Sequence, residues 1–94
     1  MSERSEQTKE TIEKIMKDAL SPVFLEIEDA SWRHEGHAAA GAGGHFNMIV
    51  VSDKFSGVNL MNRNRMVFDL LKEIMQTRIH ALAIKAKTPE EWTP

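Results

Sequence analysis

Residues 23–51 read VFLEIEDASWRHEGHAAAGAGGHFNMIVV, and the fold turns on how they are divided. The opening VFLEIED alternates, with Val23, Leu25 and Ile27 on one side and Glu26 and Glu28 on the other. That is the period-two pattern of a strand with one face in the core and one in water. A first strand is expected over residues 23–32. The pattern then dissolves: residues 33–44 hold four glycines and four alanines, with neither a periodic apolar face nor a turn of defined length, so a mobile loop is expected. A second strand is expected over residues 45–51, HFNMIVV, and a connection of this length between consecutive strands favours an antiparallel pair.

On the N-terminal side, TKETIEKIMKDAL (residues 8–20) places Ile12, Ile15, Met16, Ala19 and Leu20 at helical spacing. Residues 1–6 are expected to be flexible, and the helix to end near Ser21-Pro22, where proline forbids its continuation. On the C-terminal side, SDKFSGVNL supplies a turn built on Asp53 and Gly57, with a short extra helical element around residues 54–56. A longer helix follows, with Met66, Val67, Leu70, Leu71, Ile74 and Met75 as its buried stripe and Arg63, Arg65, Asp69, Lys72 and Glu73 toward solvent. The last strand is IHALAIKAK, and TPEEW closes with a further helix, Thr88 as cap, Pro89 at the first helical position and Glu91 completing a capping box. The order α-β-β-α-(α)-β-α reads as a single α+β domain over residues 1–94, a three-stranded sheet with helices packed on one face.

Composition bounds what such a chain can do. Ninety-four residues suffice for one core and one site. With 41% hydrophobic and 28% charged residues and no long apolar run, a membrane span is not expected, and a formal charge of -2 argues against a surface that binds phosphates everywhere. The start MSERSEQTKETIEK has no apolar region and mixes acids with bases, unlike a secretory or transit signal, so the expected address is cytoplasmic, or an organellar matrix for a chain trimmed of its leader. The absence of cysteine removes disulfides, thiol nucleophiles and thiolate ligands together. No serine stands in a nucleophile motif, and the paired carboxylates have structural explanations, so no enzyme is expected.

The histidines carry what chemistry there is. Strand parity puts His80 with Leu82, Ile84 and Ala86, on the core side at the rim. It reads either as a hydrogen-bonded structural histidine or as a metal ligand or acid/base on a rigid element. His34, His37 and His45 lie in or beside the Gly/Ala-rich segment. None of the four shows helical zinc-ligand spacing, so a self-contained zinc site is not expected.

Three stretches, VFLEIEDASWRH, HFNMIVVSDKFSGVNLMNRNRMVFDLL and HALAIKAKTPEEW, together resemble the BolA family over nearly the whole chain. The shared features are the VSDKF-G turn, the R-x-R-M start of the long helix, and HAL followed by TP-EW. The resemblance implies an α+β fold of the class II KH-like type. It also implies non-enzymatic partnership with a monothiol glutaredoxin in iron–sulfur cluster trafficking and iron regulation. A [2Fe-2S] cluster would be shared with the partner's cysteine and a glutathione thiol, through the strand histidine, matched by His80, and a loop ligand, matched by His37 with His45 as the alternative. The free chain would then hold no cofactor and be a monomer or weak homodimer. A chain without cysteine cannot hold such a cluster alone, whereas two histidines beside two sulfurs give Rieske-like mixed ligation. The family often has histidine between the two arginines, where this chain has Asn64, so any auxiliary ligand there is lost. The resemblance also implies a rival function, DNA-binding transcriptional regulation, for which Arg63, Arg65, Lys54, Lys85 and Lys87 are the candidate phosphate contacts. The G-x-x-G clamp of KH domains is missing from FSGVN.

Overall fold

The computed structural model describes residues 3–30, 44–75 and 77–92. Helix α1 (Glu3–Leu20) leads to strand β1 (Phe24–Asp29) and strand β2 (Gly44–Val51), and a 3-10 turn (Asp53–Phe55) precedes helix α2 (Leu60–Leu70). A short helix α3 (Lys72–Met75) and strand β3 (Ile79–Lys87) follow. The sheet order is β1-β2-β3, with β1 antiparallel and β3 parallel to the central β2. The expected α+β arrangement and hairpin pairing are therefore present. Boundaries differ: α1 takes in residues expected to be flexible, and Gly44, expected in the loop, opens β2. The rest of the expected loop, through residue 43, lies outside the described residues.

One face of the sheet carries the core. Phe46, Met48 and Val50 point inward from β2, Ile27 from β1 and Ala86 from β3, against Ile12, Met16 and Leu20 of α1, Val67 of α2 and Leu71, the cap that ends α2. The four-residue spacing along α1 aligns its three on a single stripe. That helix ends through Ser21, whose backbone is left-handed (φ 43) and whose N–H donates to the Lys17 carbonyl, before Pro22 prevents another turn. Ser52 Oγ donates to the Leu20 carbonyl at 2.6 Å and accepts from the Lys54 N–H, tying the end of α1 to the 3-10 turn. Gly57 then turns the chain at φ 78, and the Asn59 side chain caps α2 by accepting from the Asn62 N–H.

Two assignments along the long helix are corrected. It breaks at Leu71, which stays buried while Leu70, expected inside, is 37% exposed. Arg63, expected toward solvent, is 7% exposed. Its Nε donates to the Val58 carbonyl at 2.7 Å, and its Nη1 to the Ala86 carbonyl at 3.1 Å. Nη1 and Nη2 also take the two Glu91 oxygens at 2.6 and 3.3 Å. The expected closing helix is a single turn: Thr88 and Glu91 form the capping box, with the Thr88 N–H donating to Glu91 Oε1 and the Glu91 N–H to Thr88 Oγ1.

This clasp predicts a pH dependence. The Arg63 hydrogen bonds, and after them the Thr88 N–H, hold the Glu91 carboxyl at about 2, below its ordinary 4.5. A folded value below the unfolded one stabilises the fold above the unfolded value, and the contribution disappears as pH falls through the folded value. The melting-temperature advantage of the wild type over Glu91→Gln should therefore be full at about pH 5 and shrink steadily toward about pH 2.5. A gap that stays constant across that window contradicts the assignment.

Candidate functional site

The site is built by an irregularity in the β2–β3 pairing. Gly44 faces Ile79 and His45 faces Ala81, so His80 has no partner across the ladder. An extra residue of this kind is a β-bulge, which breaks strict alternation and re-aims a side chain. Ile79 consequently takes the core position at 3% exposure and His80 is turned out to solvent. The expectation that His80 lies on the core side is thus corrected: parity counted along β3 cannot register a residue that its neighbour skips.

Turned outward, His80 lies against His45, with ring centroids 4.8 Å apart and planes tilted by 45°. Both rings stand on anchored backbone. The His45 carbonyl accepts from the Ala30 N–H at 2.8 Å, and the Gly44 N–H donates to the Arg78 carbonyl at 3.1 Å. Arg78 Nε in turn donates to Thr8 Oγ1, which fastens the approach to the bulge onto α1. His45, though not His80, also lines a depression of about 270 Å³ together with Ala30, Phe46, Asn47, Ala81, Leu82 and Ala83.

The donor set is two imidazoles and no sulfur. An ion about 2.1 Å from one nitrogen of each ring sets the centroids roughly 4.5–5.2 Å apart for bond angles between square and tetrahedral. The observed separation falls within that span. Among the described residues no group of three His, Cys, Asp or Glu side chains is arranged to hold a metal.

The other candidate residues are distributed differently. His34 and His37 lie outside the described residues. Lys54 on the 3-10 turn, Arg65 on α2 and Lys85 on β3 are exposed, and Lys87 is half-buried. Arg63 is engaged internally at all three of its nitrogens and is withdrawn as a phosphate or partner contact. One feature escaped the sequence reading: Phe24 and Trp92 stack, with centroids 4.9 Å apart and planes at 25°. A signal for it existed, since Phe24 falls on the Glu26/Glu28 side of an otherwise alternating strand, where an aromatic needs a cover.

The family model for BolA-like protein matches residues 16–91. A relative in Escherichia coli K12, DNA-binding transcriptional regulator BolA, is 43% identical over 84 residues, covering 89% of this chain and 78% of the relative. SufE-like protein 1, chloroplastic/mitochondrial, of Arabidopsis thaliana is 49% identical over 85 residues, covering 84% of this chain but only 23% of that protein. This chain therefore corresponds to a small part of the latter. Among solved structures, the BolA domain of SufE1 from Arabidopsis thaliana superimposes with a TM-score of 0.80 at 40% identity, covering 98% of this chain and 99% of that one.

Proposed function

The chain belongs to the BolA-like family, and from that premise we propose that it is a non-enzymatic partner of a monothiol glutaredoxin. In this role it co-ligates a [2Fe-2S] cluster during iron–sulfur trafficking and iron regulation. The observation that carries the reading is the bulge-built contact between His80 and His45 in a chain without thiolates. His80 is the fixed imidazole. The contact favours His45 over His37 as the second, since His45 is held beside His80 by strand pairing. The partner supplies the sulfurs, from its cysteine and from glutathione, that clusters of this kind need.

The test is to titrate the purified chain into a cluster-loaded monothiol glutaredoxin with glutathione, following visible absorption and circular dichroism. The expected result is a new spectrum saturating at one chain per cluster, with the reduction potential raised by roughly one hundred millivolts or more as imidazole replaces thiolate. An unchanged spectrum at excess chain rejects the reading. A second reading is favoured by the E. coli relative, whose name describes DNA binding. On this chain it would rest on Lys54, Arg65, Lys85 and Lys87, and it requires a steep fall of DNA affinity with salt, which co-ligation does not.

A further inference from the structure

The strand that carries His80 is an edge strand. In the order β1-β2-β3, β3 pairs with β2 on one side only, and it runs nine residues, Ile79–Lys87. Two bonds near its end show which of its backbone groups face outward. The Lys87 carbonyl accepts from the Ser52 N–H at 2.9 Å, so the Lys87 backbone faces β2, and by alternation so do those of Lys85 and Ala83. Ala86, Ile84 and Leu82 therefore turn their backbone groups to the open side, where Arg63 Nη1 takes the Ala86 carbonyl at 3.1 Å. Arg63 thus closes the edge at Ala86. Nearer His80, no hydrogen bond reaches the Leu82 or Ile84 backbone from that side among the described residues.

The side chains along this edge define what fits it. Leu82 and Ile84 pack against the core and are only half-buried. Ala83 and Lys85, on the other face of the strand, are exposed, and Lys85 has no ion-pair partner among the described residues. We propose that the β3 edge receives an extended segment of the cluster-bearing partner as a fourth strand, acidic on the side of Lys85 and apolar on the side of Leu82 and Ile84. In strand addition of this kind main-chain bonds supply the affinity and alternate side chains the choice of partner. A lysine guards an edge strand against indiscriminate pairing, and by its charge it admits an acidic strand and repels a basic one. The apolar side chains of the added strand complete the cover over Leu82 and Ile84.

His80 stands at the start of the same strand, so a segment seated along Leu82 and Ile84 runs to the histidine pair. The inference deepens the glutaredoxin reading and rests on it: that reading supplies the partner, and the open edge is the surface that holds it.

Hydrogen exchange and edge variants, added to the titration with cluster-loaded monothiol glutaredoxin and glutathione, test it. The Leu82 and Ile84 amides should exchange about tenfold or more slowly in the complex than in the free chain. Ile84→Pro removes an N–H that β2 does not use, a substitution that edge strands tolerate. It should weaken the complex about tenfold more than Ile84→Ala, which loses the side chain but keeps the N–H. Lys85→Glu should weaken it about fivefold at about 50 mM salt and less at about 500 mM. Circular dichroism checks that each variant is folded, and the exchange result on the wild type stands whatever Ile84→Pro does. A new cluster spectrum with Leu82 and Ile84 exchanging as before, or with Ile84→Pro and Ile84→Ala binding alike, overturns the edge proposal and leaves the glutaredoxin reading intact. No new spectrum at excess chain removes both. Protection of these amides by concentrating the free chain or by a duplex oligonucleotide, but not by the glutaredoxin, gives the edge to a second copy or to nucleic acid and also overturns the proposal.

Discussion

Replacing Arg63 with alanine lowers the unfolding free energy by about 2–3 kcal/mol, measured by urea or thermal unfolding at neutral pH. The side chain is 8% exposed and its donors are divided among four acceptors on three segments: the turn before α2, the end of β3 and the closing turn. Truncation strips the donor from the Val58 and Ala86 carbonyls and opens a void between α2 and the end of β3. The cost stays below that of breaking a fully buried pair, because the Glu91 side chain is 47% exposed and can be hydrated once released. For a chain of this size the expected fall in melting temperature is roughly 10–20 °C. Arg63→Lys should recover only a minor part, since an ammonium at the end of a flexible stem cannot serve the fork of acceptors at once. A fall of only a degree or two for Arg63→Ala would mean that Arg63 decorates the junction and does not hold it.

Arg63 also marks where the sequence was legible and where it was not. Elements whose signals are local came through: the α1 stripe, the alternation of β1 from Leu25 onward, the turn at Gly57 and the capping box at Thr88 and Glu91 all rest on neighbours a few residues apart, whereas Val23, expected on the core side, precedes the strand and is exposed. What failed depends on residues distant in the chain. A helix periodicity assigns Arg63 to solvent, because nothing nearby reveals that Glu91, 28 positions later, comes back to meet it. Leu70, the last residue of α2, falls on its exposed side, while the buried position passes to Leu71, the cap that ends the helix. The direction of His80 is set by the register of β3 on β2, not by the composition of β3 itself. The BolA-like resemblance matches His80 to the strand ligand and His37, with His45 as the alternative, to the loop ligand; the contact of His80 with His45 depends on the bulge, which no local pattern reveals.

His80→Ala should abolish the spectral change on mixing with cluster-loaded glutaredoxin while leaving the chain folded. Because the imidazole is exposed, its loss is worth no more than about 0.5 kcal/mol of stability, so a missing signal cannot be blamed on unfolding. Alanine removes one of the two nitrogens this chain would supply, and the described residues hold no group of three ligands that could take over. The decisive variant is His80→Cys. If His80 is a ligand, a thiolate at the same bulge position still binds, and the cluster potential falls toward the all-thiolate range, by roughly one hundred millivolts or more. If His80 serves only the packing of the bulge, cysteine and alanine behave alike and neither moves the potential. The second ligand is decided in the same titration. With His45 as partner, His45→Ala repeats the loss seen for His80→Ala and His37→Ala leaves the spectrum in place. The reverse pattern assigns the position to His37 and makes the 4.8 Å ring contact a resting arrangement that the cluster displaces.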